Sequence, residues 1–318
     1  MLHNPIKLKV LAVFQKGAVT IHDYLFNYLW KNHGIQLDCR AIEQIKPSDA
    51  DAYDLVLNAI CADAWHKDRI KKLEIYCKTK NKRFINGIEG LTNCNRRQAY
   101  KIWSKNNVNC ARVERVPKKS LALALNMPFP IIFRHENTHL GSSMKLANNK
   151  DDIAAIDDAY FRKSTVAIQF KDYKSEDGLY RKYRCVLLGD QVIARHLISS
   201  PEWNIHSDSR QADRMDAHLV EEYAFWDRPL HEKDELLRAK NLLKLDYTIA
   251  DYALLPDGKP FYFEMNPCFS VIDPRAFKRE WAYQLHAIHR YCEAYAAFLF
   301  EGRGKKSPQK FISIPVIL

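Results

Sequence analysis

Leu245-Asp-Tyr-Thr-Ile-Ala-Asp251-Tyr-Ala-Leu-Leu-Pro256-Asp257-Gly258-Lys-Pro-Phe261-Tyr-Phe263-Glu264-Met265-Asn266-Pro-Cys-Phe269 holds two apolar, β-prone runs on either side of Pro256-Asp257-Gly258. Turn residues between such runs predict a β-hairpin. Asp251 sits six positions before Asp257 and Glu264 seven after it, so the two arms bring the carboxylates nearly opposite each other. Glu264 and Asn266 share a face because strand side chains alternate with period two. Three oxygen side chains therefore converge at one end of the ribbon. Hard oxygen ligands of this kind suit Mg²⁺ held together with substrate phosphates. An isolated Glu-x-Asn on a surface hairpin is most simply solvated. Here Phe261, Phe263 and Met265 make the strand half-buried, and a buried carboxylate needs a cation or another partner.

Upstream, strands and helices alternate. Lys7–Phe14 is an apolar run of strand length, and Gln15-Lys16-Gly17 breaks it. Ile21, Leu25, Tyr28 and Leu29 fall at helical spacing within Val19–Trp30, and Gly34 is the expected stop after His33. Strands are expected at 35–42, 54–60 and 83–86, with an amphipathic helix over 64–80 that carries Ile70, Leu73 and Tyr76 on one side. Such alternation implies a small parallel α/β lobe. Only Gly17 follows the first strand. The Gly-x-Gly-x-x-Gly fingerprint is absent, which excludes dinucleotide binding of the Rossmann type.

The middle of the chain collects cations next to strand ends. Asn93 and Asn95 can cap a helix running from about Arg96 to Lys105. A cation at a helix start opposes the helix dipole, so Arg96 there points to an anionic partner; Arg97 is its alternative. Pro128–Arg134 reads as a strand ending in a cation, and Gly141, Ser142 and Ser143 lie in the loop beyond it. Backbone N–H groups and small hydroxyls approach phosphate closely. His135 and His139 have i, i+4 spacing but fall in this loop, where stacking or solvation is the simpler role than metal binding. Val166–Asp172 reads as a strand running into a polar turn. A strand, a Gly189-Asp190 turn and a second strand (191–198) then follow. Arg181, Lys182 and Arg184 on the first of these strands need an anion if buried, or else protect an edge. Residues 216–245 and 281–300 have helical apolar spacing. His286 and His289 in the latter lack a third ligand, so a core or surface role is the simpler reading.

In this order the motifs resemble the ATP-grasp superfamily over roughly residues 7–300: basic helix start, strand ending in a cation, Gly loop, hinge, Arg hairpin, then Asp251-Tyr252 and Glu264-x-Asn266. The resemblance implies an α+β and α/β architecture. Its parts would be an N-terminal parallel α/β lobe (1–90), a small lid subdomain (91–165), a C-terminal subdomain with the metal hairpin (166–302) and a basic tail (303–318). It implies ATP and Mg²⁺, with Mn²⁺ as a substitute, and the metal on Asp251, Glu264 and Asn266. It also implies nucleotide contacts from Arg96, Arg134, Gly141, Ser142, Ser143, from Gln169, Phe170 and Lys171 at the adenine hinge, and from Asp172 or Asp177 at the ribose. Arg184, Arg195 and His206 would meet the acyl phosphate or acceptor. Two departures stand out. Arg96 and Arg134 stand where lysine is usual, and Arg and Lys are not interchangeable at phosphate sites. The Arg/Asn-Gly-Gly pattern of the glutathione synthetase-like and D-alanine ligase-like enzymes is missing after Arg195. The chain looks most like a poorly characterised bacterial ATP-grasp group that sometimes accompanies tetratricopeptide repeats, and no 34-residue repeat is visible here.

With 318 residues, 47% apolar and 27% charged, the composition is ordinary for a globular chain with two or three lobes. No apolar run has the length of a membrane span, and the N-terminus lacks the regions of a signal peptide. Eight scattered cysteines without a Cys-x-x-Cys pair fit reduced core thiols and a cytoplasmic setting. A net charge of +11 favours anionic ligands, yet no nucleic-acid module is visible, which argues against nucleic acid as the main partner. The expected function is a carboxylate–amine (or thiol) ligase acting on small-molecule or peptide substrates, with a homodimer allowed for. A kinase acting on a hydroxyl and a non-catalytic ATP-binding module are the alternatives.

Overall fold

The computed structural model describes residues 5–15, 23–60, 66–136, 143–206, 209, 215–267 and 279–301. Among them the strands are β1 (Leu8–Phe14), β2 (Ile35–Ala41), β3 (Leu55–Asn58), β4 (Arg83–Ile85), β5 (Val113–Arg115), β6 (Ile131–His135), β7 (Lys145–Ala147), β8 (Thr165–Gln169), β9 (Tyr180–Leu188), β10 (Gln191–Ser200), β11 (Tyr247–Leu254) and β12 (Pro260–Asn266). The helices are α1 (Asp23–His33), α2 (Lys67–Thr79), α3 (Ile88–Asn93), α4 (Arg96–Lys105), α5 (Lys119–Leu123), α6 (Lys150–Ala155), α7 (Met215–Asp227), α8 (Lys233–Leu242) and α9 (Leu285–Phe300). The strands form three four-stranded sheets: parallel β2-β1-β3-β4, antiparallel β10-β9-β11-β12 and antiparallel β5-β8-β6-β7. The fold is thus a parallel α/β unit joined to two antiparallel sheets, as the resemblance implied.

The parallel sheet is covered on both faces, which is why its strands read as nearly continuous apolar runs. Leu8, Val10, Ala12 and Phe14 of β1 pack with α1 and α9; Leu11 and Val13 pack with Ile70, Leu73 and Cys77 of α2. Gly34 ends α1 with φ +68°, and a Cβ there would lie 2.7 Å from the Pro5 carbonyl oxygen. That close approach is the physical content of the expected glycine stop.

α9 is shared between two sheets. Ile288, Tyr291, Tyr295 and Phe298 pack against β1 and β3 and also against Val186, Leu188, Tyr247 and Ile249 of the β9–β11 sheet. Burying side chains of this size stabilises by about 1.5–3 kcal/mol each. The fully buried Asn86 adds a polar tie. Its side chain accepts from the backbone N–H groups of Asp246 and Tyr247 (2.9 and 3.2 Å) and donates to the Tyr247 carbonyl (2.9 Å). The parallel unit thereby fixes where β11 begins. On the other face of that sheet, Cys185, Leu187, Ala250, Tyr252, Tyr262 and Met265 meet α4, α7 and α8.

Three expectations change in detail. The segment 216–245 is two helices, broken around Pro229, because proline cannot continue a helix. The closing helix starts at Leu285, after a 3₁₀ turn over Arg279–Gln284. Cys39 is exposed, whereas Cys77, Cys94, Cys185 and Cys292 are buried thiols outside any disulfide. Residues 16–22 and the basic tail 303–318 lie outside the described residues.

A candidate nucleotide and metal site

The hairpin arms pair Leu254 with Pro260, Ala253 with Phe261 and Tyr252 with Tyr262; the register then shifts so that Asp251 faces Glu264. Phe263 is the extra residue of a β-bulge, a device that re-aims side chains. Tyr262 and Met265 both reach the α8 side as a result, and Glu264 is left beside Asp251. Asp251 is also opposite Arg184 on β9, and Arg184 is opposite His196 on β10, where a second bulge makes Arg195 the extra residue. His196, Arg184, Asp251 and Glu264 therefore form one cross-strand row over four strands. The next row on this face is Ile193, Val186, Ile249 and Asn266. Its apolar members are covered by α9. The charged row begins where that cover stops.

Two ion pairs organise the row. Arg184 donates from Nε and Nη2 to the two oxygens of Asp251, at 2.5 and 2.6 Å, in the bidentate fork that is strongest for guanidinium and carboxylate. Asp251 is only 5% exposed. Burial pushes its carboxyl up, but the charge and hydrogen bonds of Arg184, together with the Lys182 and Arg96 charges, offset this and hold it below the usual carboxylate range. Arg96 pairs through Nη2 with Glu264 and donates from Nη1 to the Glu136 carbonyl at 3.0 Å. Arg97 bonds the Glu136 carboxylate at 2.7 Å. Asn95 accepts from the Arg97 N–H at 3.2 Å and so caps α4 at the expected place.

Arg134 comes from the third sheet. Ile131 and Phe133 point into that sheet's core with Ala122 and Ile153, and Arg134 alternates to the other side. It is 6% exposed. Burial, then the neighbouring Arg96 charge, push its guanidinium down to about 10, with Glu264 opposing. Lys182, two residues before Arg184, donates to the Ile205 carbonyl at 2.7 Å and acts electrostatically on Asp251. Arg96, Arg134, Lys182 and Arg184 against Asp251 and Glu264 is four cations to two carboxylates, a surplus of two positive charges. Fixed positive charge around half-buried carboxylates favours a polyanion. Asp251, Glu264 and Asn266 beside it are the oxygen donors a hard divalent cation takes.

On the third sheet, β8 stops at Gln169, where the sequence suggests a hinge. The Gln169 and Phe170 N–H groups donate to the Arg112 and Pro130 carbonyls, at 2.9 and 3.1 Å. Phe170 stands edge-on to Trp203 (5.8 Å between centroids), and Tyr173 meets Phe263 (5.2 Å) and donates to the Trp203 carbonyl. Phe170, Tyr173, Trp203 and Phe263 give this end an aromatic wall. Lys171 is exposed. Asp172 closes a turn by accepting from the Lys174 N–H. Asp177 is bound by Arg181 (2.5 and 3.0 Å), which also binds Glu221 and alternates away from Lys182 and Arg184.

Other expected residues are placed as follows. Arg195 lies towards α9, where its charge bears on Cys292 and Tyr291, and its carbonyl accepts from the Trp226 indole. The His206 N–H donates to the Ser209 hydroxyl at 2.9 Å. Ser143 accepts from the His135 N–H through its hydroxyl and from the Tyr160 hydroxyl through its carbonyl. Gly141 and Ser142, like His139, lie outside the described residues. His135 belongs to β6, not to a loop; it is buried against Tyr160 and Thr165. His289 bonds the Tyr24 hydroxyl, and His286 lies beside Trp226.

Sequence reasoning missed the pairing of His196 with Arg184, the Arg97–Glu136 pair and the aromatic wall. Two bulges bring His196 beside Arg184 and set Phe263 next to Glu264, and no periodic pattern announces a bulge. Odd spacing about the hairpin turn was the one available sign.

The three sheets together have the fold of the ATP-grasp ligases. No family model matches the sequence, and no curated protein does. Among solved structures, D-alanine–D-alanine ligase from Bacillus anthracis is 11% identical, covering 91% of this chain and 99% of its own with a TM-score of 0.51. ATP-grasp ligase PsnB, in complex with precursor peptide PsnA2 and AMPPNP, is 13% identical over 94% and 99%, at 0.56. N5-carboxyaminoimidazole synthetase from Staphylococcus aureus, in complex with ADP, is 10% identical over 84% and 72%, at 0.55. At such identities the likeness concerns the fold. Among the described residues no helix is long and apolar enough to cross a membrane.

Proposed function

We propose that the chain is an ATP- and Mg²⁺-dependent ligase that joins a carboxylate to an amine or thiol. The observation that carries this reading is the cross-strand row His196–Arg184–Asp251–Glu264, faced by Arg96 and Arg134. Asp251, Glu264 and Asn266 would hold the metal. Arg96, Arg134, Lys182 and Arg184 would hold the phosphates. The Phe170–Trp203 wall would take the base, with Asp172, which Arg181 leaves alone, nearer the ribose than Asp177. A nucleotide bound there would pass its terminal phosphoryl group to the substrate carboxylate, leaving ADP, and attack of the amine or thiol on the acyl phosphate would then expel inorganic phosphate.

The protein's part is positioning and electrostatics. Guanidinium forks orient phosphate oxygens and offset the charge that develops on them. No side-chain nucleophile is required. The acceptor end of the row is His196 on β10, beside Arg184 and away from the metal ligands. An imidazole there is suited to taking the proton that an attacking amine gives up.

A screen of carboxylic acids with amino acids, short peptides and polyamines, reading ADP release, tests the proposal. Release that needs both an acid and an amine or thiol supports it. Release with an alcohol alone would make the chain a kinase, and nucleotide binding without turnover would make it a binding module.

A further inference from the structure

Both candidate metal carboxylates already have cations on them. The two Asp251 oxygens accept from Arg184, and Glu264 accepts from Arg96. Lys182 and Arg96 add to the positive potential at Asp251, and Arg134 stands next to Glu264. A divalent cation entering alone would have to displace two guanidiniums from the carboxylates that pair with them, in a neighbourhood that already holds Lys182 and Arg134. Among the described residues no cluster of three or more His, Cys, Asp or Glu side chains offers a metal an alternative.

A polyphosphate changes this balance. Its oxygens match the guanidinium fork as well as a carboxylate does, and it carries more charge. We propose that Arg96 and Arg184 are positioning residues that reserve Asp251 and Glu264 until a polyphosphate draws them off, so that the divalent cation binds with the nucleotide and not to the protein alone. Each guanidinium exchanges one oxyanion for another and never stands uncompensated. Arg96 can make the exchange while staying bound to the Glu136 carbonyl. By thermodynamic reciprocity, polyphosphate must then tighten the metal by the same factor as metal tightens polyphosphate. The inference rests on the nucleotide-site reading and adds to it an order of events.

The test uses the full chain and needs no substrate. Free Mn²⁺ is counted by electron paramagnetic resonance during titration, and inorganic tripolyphosphate binding is measured calorimetrically in EDTA. The wild-type chain should bind tripolyphosphate without metal and should not be saturated by Mn²⁺ alone. R184Q and R96Q should reverse the preference, each binding Mn²⁺ alone about tenfold more tightly and tripolyphosphate about tenfold more weakly. R96Q guards against misfolding of R184Q, because it uncovers the Glu264 side chain, which is already 30% exposed. One Mn²⁺ per wild-type chain without nucleotide, with unchanged affinity in R96Q, overturns the proposal. Failure of AMPPNP with Mn²⁺ to bind the wild-type chain overturns the nucleotide site itself, and the two failures are distinct.

Discussion

The Arg184–Asp251 pair makes the sharpest prediction about stability. The Asp251 side chain is 7% exposed and that of Arg184 29%. Arg184→Gln therefore leaves a carboxylate buried without its cation, whereas Asp251→Asn leaves a guanidinium that water can reach. Removing one partner of a buried pair costs about 3–5 kcal/mol. The partial exposure of Arg184 puts R184Q near the low end, at about 3 kcal/mol. D251N removes charge-assisted hydrogen bonds but strands no buried ion, and should cost about 1.5 kcal/mol. At roughly 2–3 °C per kcal/mol for a chain of this size, R184Q should lower Tm by about 6–9 °C. The double variant strands nothing and should cost less than the sum of the single variants by about 1–3 kcal/mol. Thermal unfolding followed by tryptophan fluorescence at neutral pH in EDTA measures all four corners of the cycle. Single effects that add within about 0.5 kcal/mol, or D251N proving the costlier change, would refute the reasoning.

Glu264→Ala should abolish Mg²⁺-dependent ATP turnover while the far-ultraviolet spectrum stays that of the wild type; unchanged ADP production would remove Glu264 from the site. Asp251 has a folded-state pKa below its unfolded value near 3.9, so its contribution is present above about pH 4 and lost as pH falls through the folded value. Tm measured from pH 6 to 3 should accordingly fall less steeply for D251N than for the wild type. Asn86→Ala removes three hydrogen bonds at a buried tie remote from the row, and at about 0.5–1.5 kcal/mol each should lower stability by roughly 2–4 kcal/mol with AMPPNP binding retained in the folded fraction. His196→Gln should leave AMPPNP affinity within about twofold and flatten the acidic limb of the turnover–pH profile, which calorimetry and an ADP assay separate.

What could be read from the chain was set by periodicity and punctuation. β1 and β3 are near-continuous apolar runs because both faces of their sheet are covered. Asn95 and Lys105 bracket α4 as expected, since a cap side chain and a helix end have local signatures. The Asp251–Glu264 pairing was legible because a hairpin register is counted from its turn. What escaped depends on the register between strands far apart in sequence. Nothing near His196 says that it faces Arg184; that follows from a bulge at Arg195 and a β9–β10 pairing fixed by the Gly189-Asp190 turn. Arg97 and Glu136 are 39 residues apart, and only the meeting of α4 with β6 brings them together.

The position of the charged row follows from how the core is shared. α9 covers the β9–β11 face up to Val186 and Ile249, and the next residues on that face, Arg184 and Asp251, are where apolar cover ends. A charge at such a boundary is desolvated enough to act strongly and close enough to water to survive, provided it is paired. The pairs come from different elements: β9 with β11, and β12 with α4, which also holds the end of β6 through Arg96 and Arg97. Folding thus assembles and partly desolvates the arginines before any ligand arrives. On the proposed reading, a polyphosphate entering here would replace partners on groups already in place, leaving little reorganisation to oppose transition-state charge. At Arg184 the planar fork sets two parallel N–H arms on both Asp251 oxygens, a geometry that the compact point charge of a lysine ammonium does not reproduce.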